Sequence, residues 1–307
     1  MIKIVIMVTF VFIFTGCSGK KVYEIAMDFG RYQSDLELKQ TSISHDLNIS
    51  YLENSIKSDK TLVLIHGFGS NKDNWLQLAK ELNGKYHLII PDLVGDGESS
   101  KPMTIDYTIS NQTKMLKEFL NKFKNKNIVL IGNSMGGHIA LNYAYQYKIY
   151  SLILIDPMGI KTEKSFVDKL GKEKLEELYL NVCTVEKMKK IIELGFSKPP
   201  YIPNFILEYL TKEKCKVSSL DRLKYEDLFD ENLDLLDVMS EKSTKLDVPT
   251  LILWGREDKI IDVKNASIFH NNIKNSKLVI FENAGHMPMI ENAELTAISI
   301  DAFLTDI

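Results

Sequence analysis

Six short apolar runs, punctuated by Gly, Pro, Asn and Asp and separated by longer amphipathic stretches, restrict this chain more than any other feature. They are Thr61–His66, Tyr86–Ile90, Ile128–Ile131, Ser151–Ile155, Thr250–Trp254 and Lys277–Phe281. Runs of this length with no polar alternation are what strands buried on both faces produce. Helical patterns lie between them, at Asn74–Leu82, Thr108–Phe123, Met135–Tyr147, Val263–Asn272 and Glu291–Leu304. Repeated strand–helix alternation implies an α/β fold with an open, mostly parallel sheet covered by helices. A more polar, alternating stretch at Asp46–Leu52 reads as an early antiparallel edge strand. From about Met158 to Lys245 the rhythm stops. That stretch is Lys/Glu-rich and helical in pattern, broken at Lys198–Pro203, and too long for a plain connection. The organisation expected is therefore a core at 46–157 and 246–307, with a helical cap inserted at 158–245.

The chemistry gathers at the ends of those strands. Gly132-Asn133-Ser134-Met135-Gly136-Gly137 stands directly after one strand and before a helix, the context the G-x-S-x-G pattern requires. A serine on such a sharp turn projects its hydroxyl above the sheet, and the tightness calls for minimal side chains two positions to either side. The N–H of Met135, at the helix start, can then face a developing oxyanion. His66-Gly67-Phe68-Gly69-Ser70 follows an earlier strand and offers the N–H of Phe68 as the second donor. His66 itself reads as structural. His286 follows the last strand and Asp258 the one before it, so the order is Ser134, Asp258, His286. Serine is a poor nucleophile at its free pKa, so an imidazole must take its proton and a carboxylate must orient the imidazole. Asp156, after the strand ending at Ile155, is the competing acid. Glu257 and Asp262 are weaker candidates, Asp262 reading as a helix N-cap. Asp92 and Asp96 are expected to organise a turn beside the site. No His/Cys cluster has metal-ligand spacing and the Gly-rich loops need no nucleotide, so neither metal nor cofactor is expected.

The first residues form a separate unit. Ile4–Phe14 is an apolar run of about 11 residues, which suits a signal-peptide core and falls short of the roughly 20 needed to span a bilayer as a helix. Thr15-Gly16-Cys17 resembles the lipobox of bacterial lipoproteins, which implies cleavage before Cys17 and lipid on it. Residues 1–16 are then a signal peptide and 17–45 a tether and lead-in; an uncleaved anchor is the first alternative and a soluble protein the second. The first two readings attach the protein to a bacterial membrane, facing the periplasm or the cell exterior. The chain of 307 residues has three cysteines, too few for a disulfide framework, and Cys183 and Cys215 are read as free buried thiols, with pairing in an exported protein as the alternative. With a formal net charge of −3 and no basic patch interleaved with aromatics, nucleic acid is not an expected partner.

With the motifs in place, the chain from about Thr61 onward resembles the α/β-hydrolase family. The resemblance is strongest to membrane-associated lipases and esterases of the Moraxella and Psychrobacter type. It is carried by His66–Trp75, Pro91–Ser99, the Ser134 elbow and Gly285–Glu291. It implies hydrolysis of carboxylic esters, such as acylglycerols or phospholipids, with Trp75 and the cap shaping an acyl pocket. The GNSMGG elbow and Trp254-Gly255-Arg256 also resemble hydrolases that cleave carbon–carbon bonds in aromatic ring-fission products. Those enzymes commonly carry Trp after the catalytic His, where Met287 stands here. A third reading is a ligand-binding lipoprotein on a silent scaffold, which normally lacks a triad residue.

Overall fold

Each of the six apolar runs is a strand in the computed structural model, which describes residues 18–123, 127–159, 180–229 and 246–307. The strands are β3 (Lys60–Ile65), β4 (His87–Pro91), β5 (Asn127–Asn133), β6 (Ser151–Ile155), β7 (Thr250–Gly255) and β8 (Ser276–Phe281). All residues of β6 and β7 are buried, which is why these segments show no polar alternation. Two strands precede them, β1 (Glu37–Ser42) and β2 (Asn48–Glu53). The sheet order is β1-β2-β4-β3-β5-β6-β7-β8, antiparallel across β1–β2 and β2–β4 and parallel elsewhere. The stretch expected at the edge is thus antiparallel but second in the sheet. The edge is β1, whose residues are exposed or half-buried.

The flanking helices split between the faces. Leu116 and Phe119 of α3 (Ile109–Leu120), Ile139 of α4 (Met135–Gln146) and Phe269 of α8 (Lys264–Asn272) enter one core. Leu78 of α2 (Leu76–Leu82) and Ile300 and Phe303 of α10 (Ala293–Thr305) enter the other. A short α9 (Pro288–Glu291) leads into α10. Strand order reverses beside β3: the chain leaves β3 towards β4 and leaves β5 towards β6. The loops after β3 and β5 therefore diverge and open a crevice at the carboxyl ends of the strands, where open α/β sheets bind ligands.

The cap contributes three described helices, α5 (Val185–Gly195), α6 (Asn204–Lys216) and α7 (Ser218–Phe229). The Pro-rich break falls between α5 and α6, as its sequence requires. Cys183 and Cys215 are bonded to each other, which corrects the free-thiol expectation. The chain returns from α5 to α6 so that their Cα atoms lie 4.8 Å apart, within bridging range. The lead-in also holds a helix that the sequence pattern did not reveal, α1 (Gly19–Gln33). It buries no residue fully. It is held by Tyr23 against Tyr209 of α6, ring centroids 5.5 Å apart, and by Arg31, which grips Asp73 with two bonds of 2.8 and 2.7 Å. Among the described residues no helix is long and apolar enough to cross a membrane. Residues 1–16 and Cys17 lie outside them.

Candidate active site

Ser134 stands between the end of β5 and the start of α4 with φ 54° and ψ −120°, backbone angles that cost a non-glycine residue about 1–3 kcal/mol. Its peptide is tied on both sides. Its N–H donates to Ile155 O at 3.1 Å, and its carbonyl accepts from His138 and Met158 at 3.2 and 3.0 Å. The turn leaves no room for side chains at the flanking glycines. A Cβ on Gly132 would sit 2.3 Å from Gly136 O, and one on Gly136 2.2 Å from Ile65 O. This is the physical content of the motif's spacing.

His286 and Asp258 meet beside this turn. His286 Nδ1 lies 2.7 Å from Asp258 Oδ2, while Asp258 Oδ1 accepts from the N–H groups of Ile260 and Ile261 at 2.7 and 2.9 Å. The Asp258 carboxyl thus accepts three hydrogen bonds, which makes Nδ1 the donor of the imidazole and leaves the Nε2 lone pair free. Ser134 and His286 line one cavity of 1730 Å³. Serine-to-imidazole hydrogen bonds at such sites tighten when substrate binds.

The loop carrying His286 is clamped at several points. Asn133 Nδ2 donates to His286 O and to Ile155 O, both at 3.1 Å. Glu291 accepts from Gly285 N–H at 2.6 Å and from the cap's Ser197 N–H at 2.8 Å. Glu257 accepts from Ala284 N–H at 2.9 Å. None of these positioning contacts was legible in the sequence: apart from Gly285–Glu291, which closes one loop on itself, they join segments that only the fold brings together.

Opposite the serine, Gly67 packs so closely that a Cβ there would lie 3.1 Å from Ser134 Cβ. Phe68 and Met135 line the same cavity, and neither backbone N–H donates to another described residue. His66 is buried with both ring nitrogens engaged: Nε2 accepts from Leu93 N–H at 3.0 Å, so Nδ1 donates to Gly67 O at 2.8 Å. It is fixed as a neutral tautomer that shapes the loop. Asp92 organises the neighbouring turn, accepting from Lys72 N–H, Lys72 Nζ and Glu98 N–H, each at 2.7 Å. Asp96 pairs instead with Lys224 of cap helix α7, whose Nζ also stands 5.2 Å from the centroid of the Phe68 ring. Asp262 Oδ1 accepts from Lys264 N–H at 2.9 Å ahead of α8.

Trp75 departs from its expected place. It is fully buried in the core with Leu76 and Leu78 and does not line the cavity. The turn before α2 aims the ring inward, and the apolar lining comes from Met158, Val182, Ile191, Phe196 and Met287. Asp156 is also fully buried, at φ 45°. Among the described residues, Asp156, Asp258 and His286 are the one group whose oxygen and nitrogen atoms approach as metal ligands do, all within 4.8 Å. The 2.7 Å contact between Asp258 and His286 is a hydrogen bond, shorter than the usual separation of two atoms bound to one ion.

With this geometry in view, the chain can be set beside known proteins. A family model described as alpha/beta hydrolase fold matches residues 60–176 and 200–293. Lipase 1 of Psychrobacter immobilis is 35% identical over 280 residues, 90% of this chain and 87% of that protein. The human monoacylglycerol lipase ABHD6 is 31% identical, over 80% of this chain and 76% of its own. Among solved structures, a membrane phospholipase A described as a bacterial virulence factor superposes with a TM-score of 0.86 at 31% identity, covering 99% of this chain and 96% of the other.

Proposed function

This chain belongs to the α/β-hydrolase family, and from that premise we propose that it hydrolyses carboxylic esters of lipids with Ser134 as nucleophile, His286 as base and Asp258 as the supporting acid. The observation that carries the reading is the strained Ser134 turn sharing a cavity with the 2.7 Å His286–Asp258 pair. In the first half-reaction Ser134 Oγ attacks the ester carbonyl, and His286 Nε2 takes its proton. Asp258 balances the imidazolium, and the N–H groups of Phe68 and Met135 receive the charge developing on the carbonyl oxygen. His286 then protonates the departing alcohol. A water molecule, deprotonated by His286, hydrolyses the acyl-enzyme and returns Ser134.

An acyl chain suits the lining of Met158, Val182, Ile191, Phe196 and Met287. The relatives are named for acyl esters, as lipase, monoacylglycerol lipase and phospholipase A, which supports a glycerolipid substrate. Membrane attachment through Cys17 or an N-terminal anchor, on the periplasmic or outer side, would bring the enzyme to such a substrate. The test is p-nitrophenyl ester hydrolysis across acyl lengths, with protein from Cys17 onward beside its Ser134→Ala variant. Turnover should vanish in the variant while the fold persists; full activity without the hydroxyl would sink the assignment.

A further inference from the structure

Asp156 has a place in the site that the hydrolytic mechanism does not use. It follows β6 directly, and Asp258 follows β7 by three residues. β6 and β7 are adjacent and parallel, with Ile155 opposite Leu253, so both acids emerge at the same end of the sheet. Asp156 Oδ1 accepts from Gly255 N–H at 2.9 Å. Oδ2 is buried with no hydrogen-bond partner among the described residues in its present rotamer. An oxygen of Asp156, an oxygen of Asp258 and a ring nitrogen of His286 all lie within 4.8 Å of one another. Two anions at that separation, cut off from water, would repel strongly; one proton held between them removes the conflict.

We propose that Asp156 and Asp258 hold a single proton and a single negative charge between them. Asp156 is the protonated partner: a positioning residue that donates Oδ2–H to Asp258 and takes over the charge when Asp258 is neutralised. No covalent bond is made or broken beyond the placing of that proton. The groups acting on Asp156 agree with this. Burial raises its carboxyl well above the usual carboxylate range and the charge of Asp258 raises it further; the Gly255 N–H opposes them, while the close approach of the Asp258 carboxyl and, last, the charge of Glu291 add to the rise. The remaining titratable neighbour in the cluster is His286, whose Nδ1–H is already given to Asp258.

This inference rests on the assignment of Asp258 as the supporting acid, and its first test needs no activity. Infrared difference spectra at neutral pH, wild type against Asp156→Asn and wild type against Asp258→Asn, report the C=O stretch of a protonated carboxylic acid, identified by its shift in deuterated water. The band should be present in the wild type and lost in both variants: in the first because the acid is gone, in the second because Asp156 ionises. Its absence from either difference spectrum overturns the proposal. Where Asp156→Asn fails to fold, the Asp258→Asn spectrum alone decides. The kinetic test is a cycle. An asparagine at 156 can still donate to Asp258 and accept from Gly255, so kcat/KM should fall about threefold in the wild-type background. In the Asp258→Asn background, where Asp156 supplies the charge, the same change should cost tenfold or more. Equal losses in the two backgrounds would mark a merely structural residue and refute the inference. Failure of the Ser134→Ala test would remove the hydrolytic reading, whereas a missing infrared band would remove only the shared proton.

Discussion

Lys224 joins the cap to the wall of the site, and replacing it with Met separates two consequences that are otherwise hard to distinguish. Its side chain is 1% exposed and that of Asp96 5%, and their salt bridge is the one that Asp96 makes among the described residues. Asp221, also near Lys224 at 3.8 Å, keeps its own partner Lys214 at 2.8 Å. Lys224→Met therefore strands one buried carboxylate, which costs about 3–5 kcal/mol. A chain of this length unfolds with an entropy of about 0.6 kcal/mol/K at its midpoint, so Tm should fall by about 5–8 °C. The double variant Lys224→Met/Asp96→Asn removes the orphaned charge and should recover at least half of that loss. The cation over the Phe68 ring stays missing in both. The Phe68 N–H is then held less firmly, and kcat should drop about tenfold in both, less than the 10²–10³ lost with a whole oxyanion donor. Scanning calorimetry and p-nitrophenyl ester kinetics read the two effects separately. A fall in Tm of under about 2 °C in the single variant, or a double variant no more stable than the single, would refute the reasoning.

Three further outcomes are expected. Replacing Cys183 and Cys215 with Ser opens a loop of sequence separation 32. This should cost about 3–4 kcal/mol by loop entropy and expose the cap to limited proteolysis before the core; unchanged cleavage kinetics would mean that packing alone holds the cap. His138 is fully buried, both its ring nitrogens lack partners among the described residues, and burial lowers its pKa to about 4. The unfolded chain therefore binds that proton first, so this share of stability is complete above about pH 6.5 and lost as pH falls towards 4, on the order of 3 kcal/mol. His138→Leu should flatten the pH dependence of the denaturation midpoint in that window, and an unaltered slope would show another group to be responsible. Asn133→Ala removes the amide bonded to Ile155 O and His286 O, and kcat should fall about tenfold with KM nearly unchanged; a change confined to KM would place Asn133 in substrate binding.

The strands of the parallel sheet were legible because burial on both faces admits only apolar residues, as along Leu62–Ile65 and Leu251–Trp254. Two of the elements missed, β1 and α1, fail that condition. β1 reads ELKQTS and shows mostly exposed positions, so nothing in its pattern requires a sheet. α1 fully buries no residue; its stability comes from partners distant in sequence, Asp73 and Tyr209. The disulfide was illegible for a related reason. Spacing along the chain does not reveal that α5 and α6 fold back to bring two cysteines within bonding distance, and three cysteines in 307 residues suggested isolated thiols.

The site was more legible than the fold around it, because its residues are tied to strand ends rather than to packing. Ser134, Asp258 and His286 each follow a run that had to be a buried strand, and parallel strands carry their following loops to one end of the sheet. Trp75 shows the converse. A position taken from resemblance to relatives, with no strand end to fix it, turned out to face the core. The competition between Asp156 and Asp258 has the same root. β6 and β7 are neighbours in register, so an acid after either strand arrives beside His286, and only the hydrogen bonds distinguish them. Asp258 reaches His286 Nδ1 at 2.7 Å with two further N–H groups steadying it, whereas Asp156 spends one oxygen on Gly255 and leaves the other unpaired. Sequence order placed two carboxyls at one position in the fold, and the fold has room for both there, provided one keeps its proton.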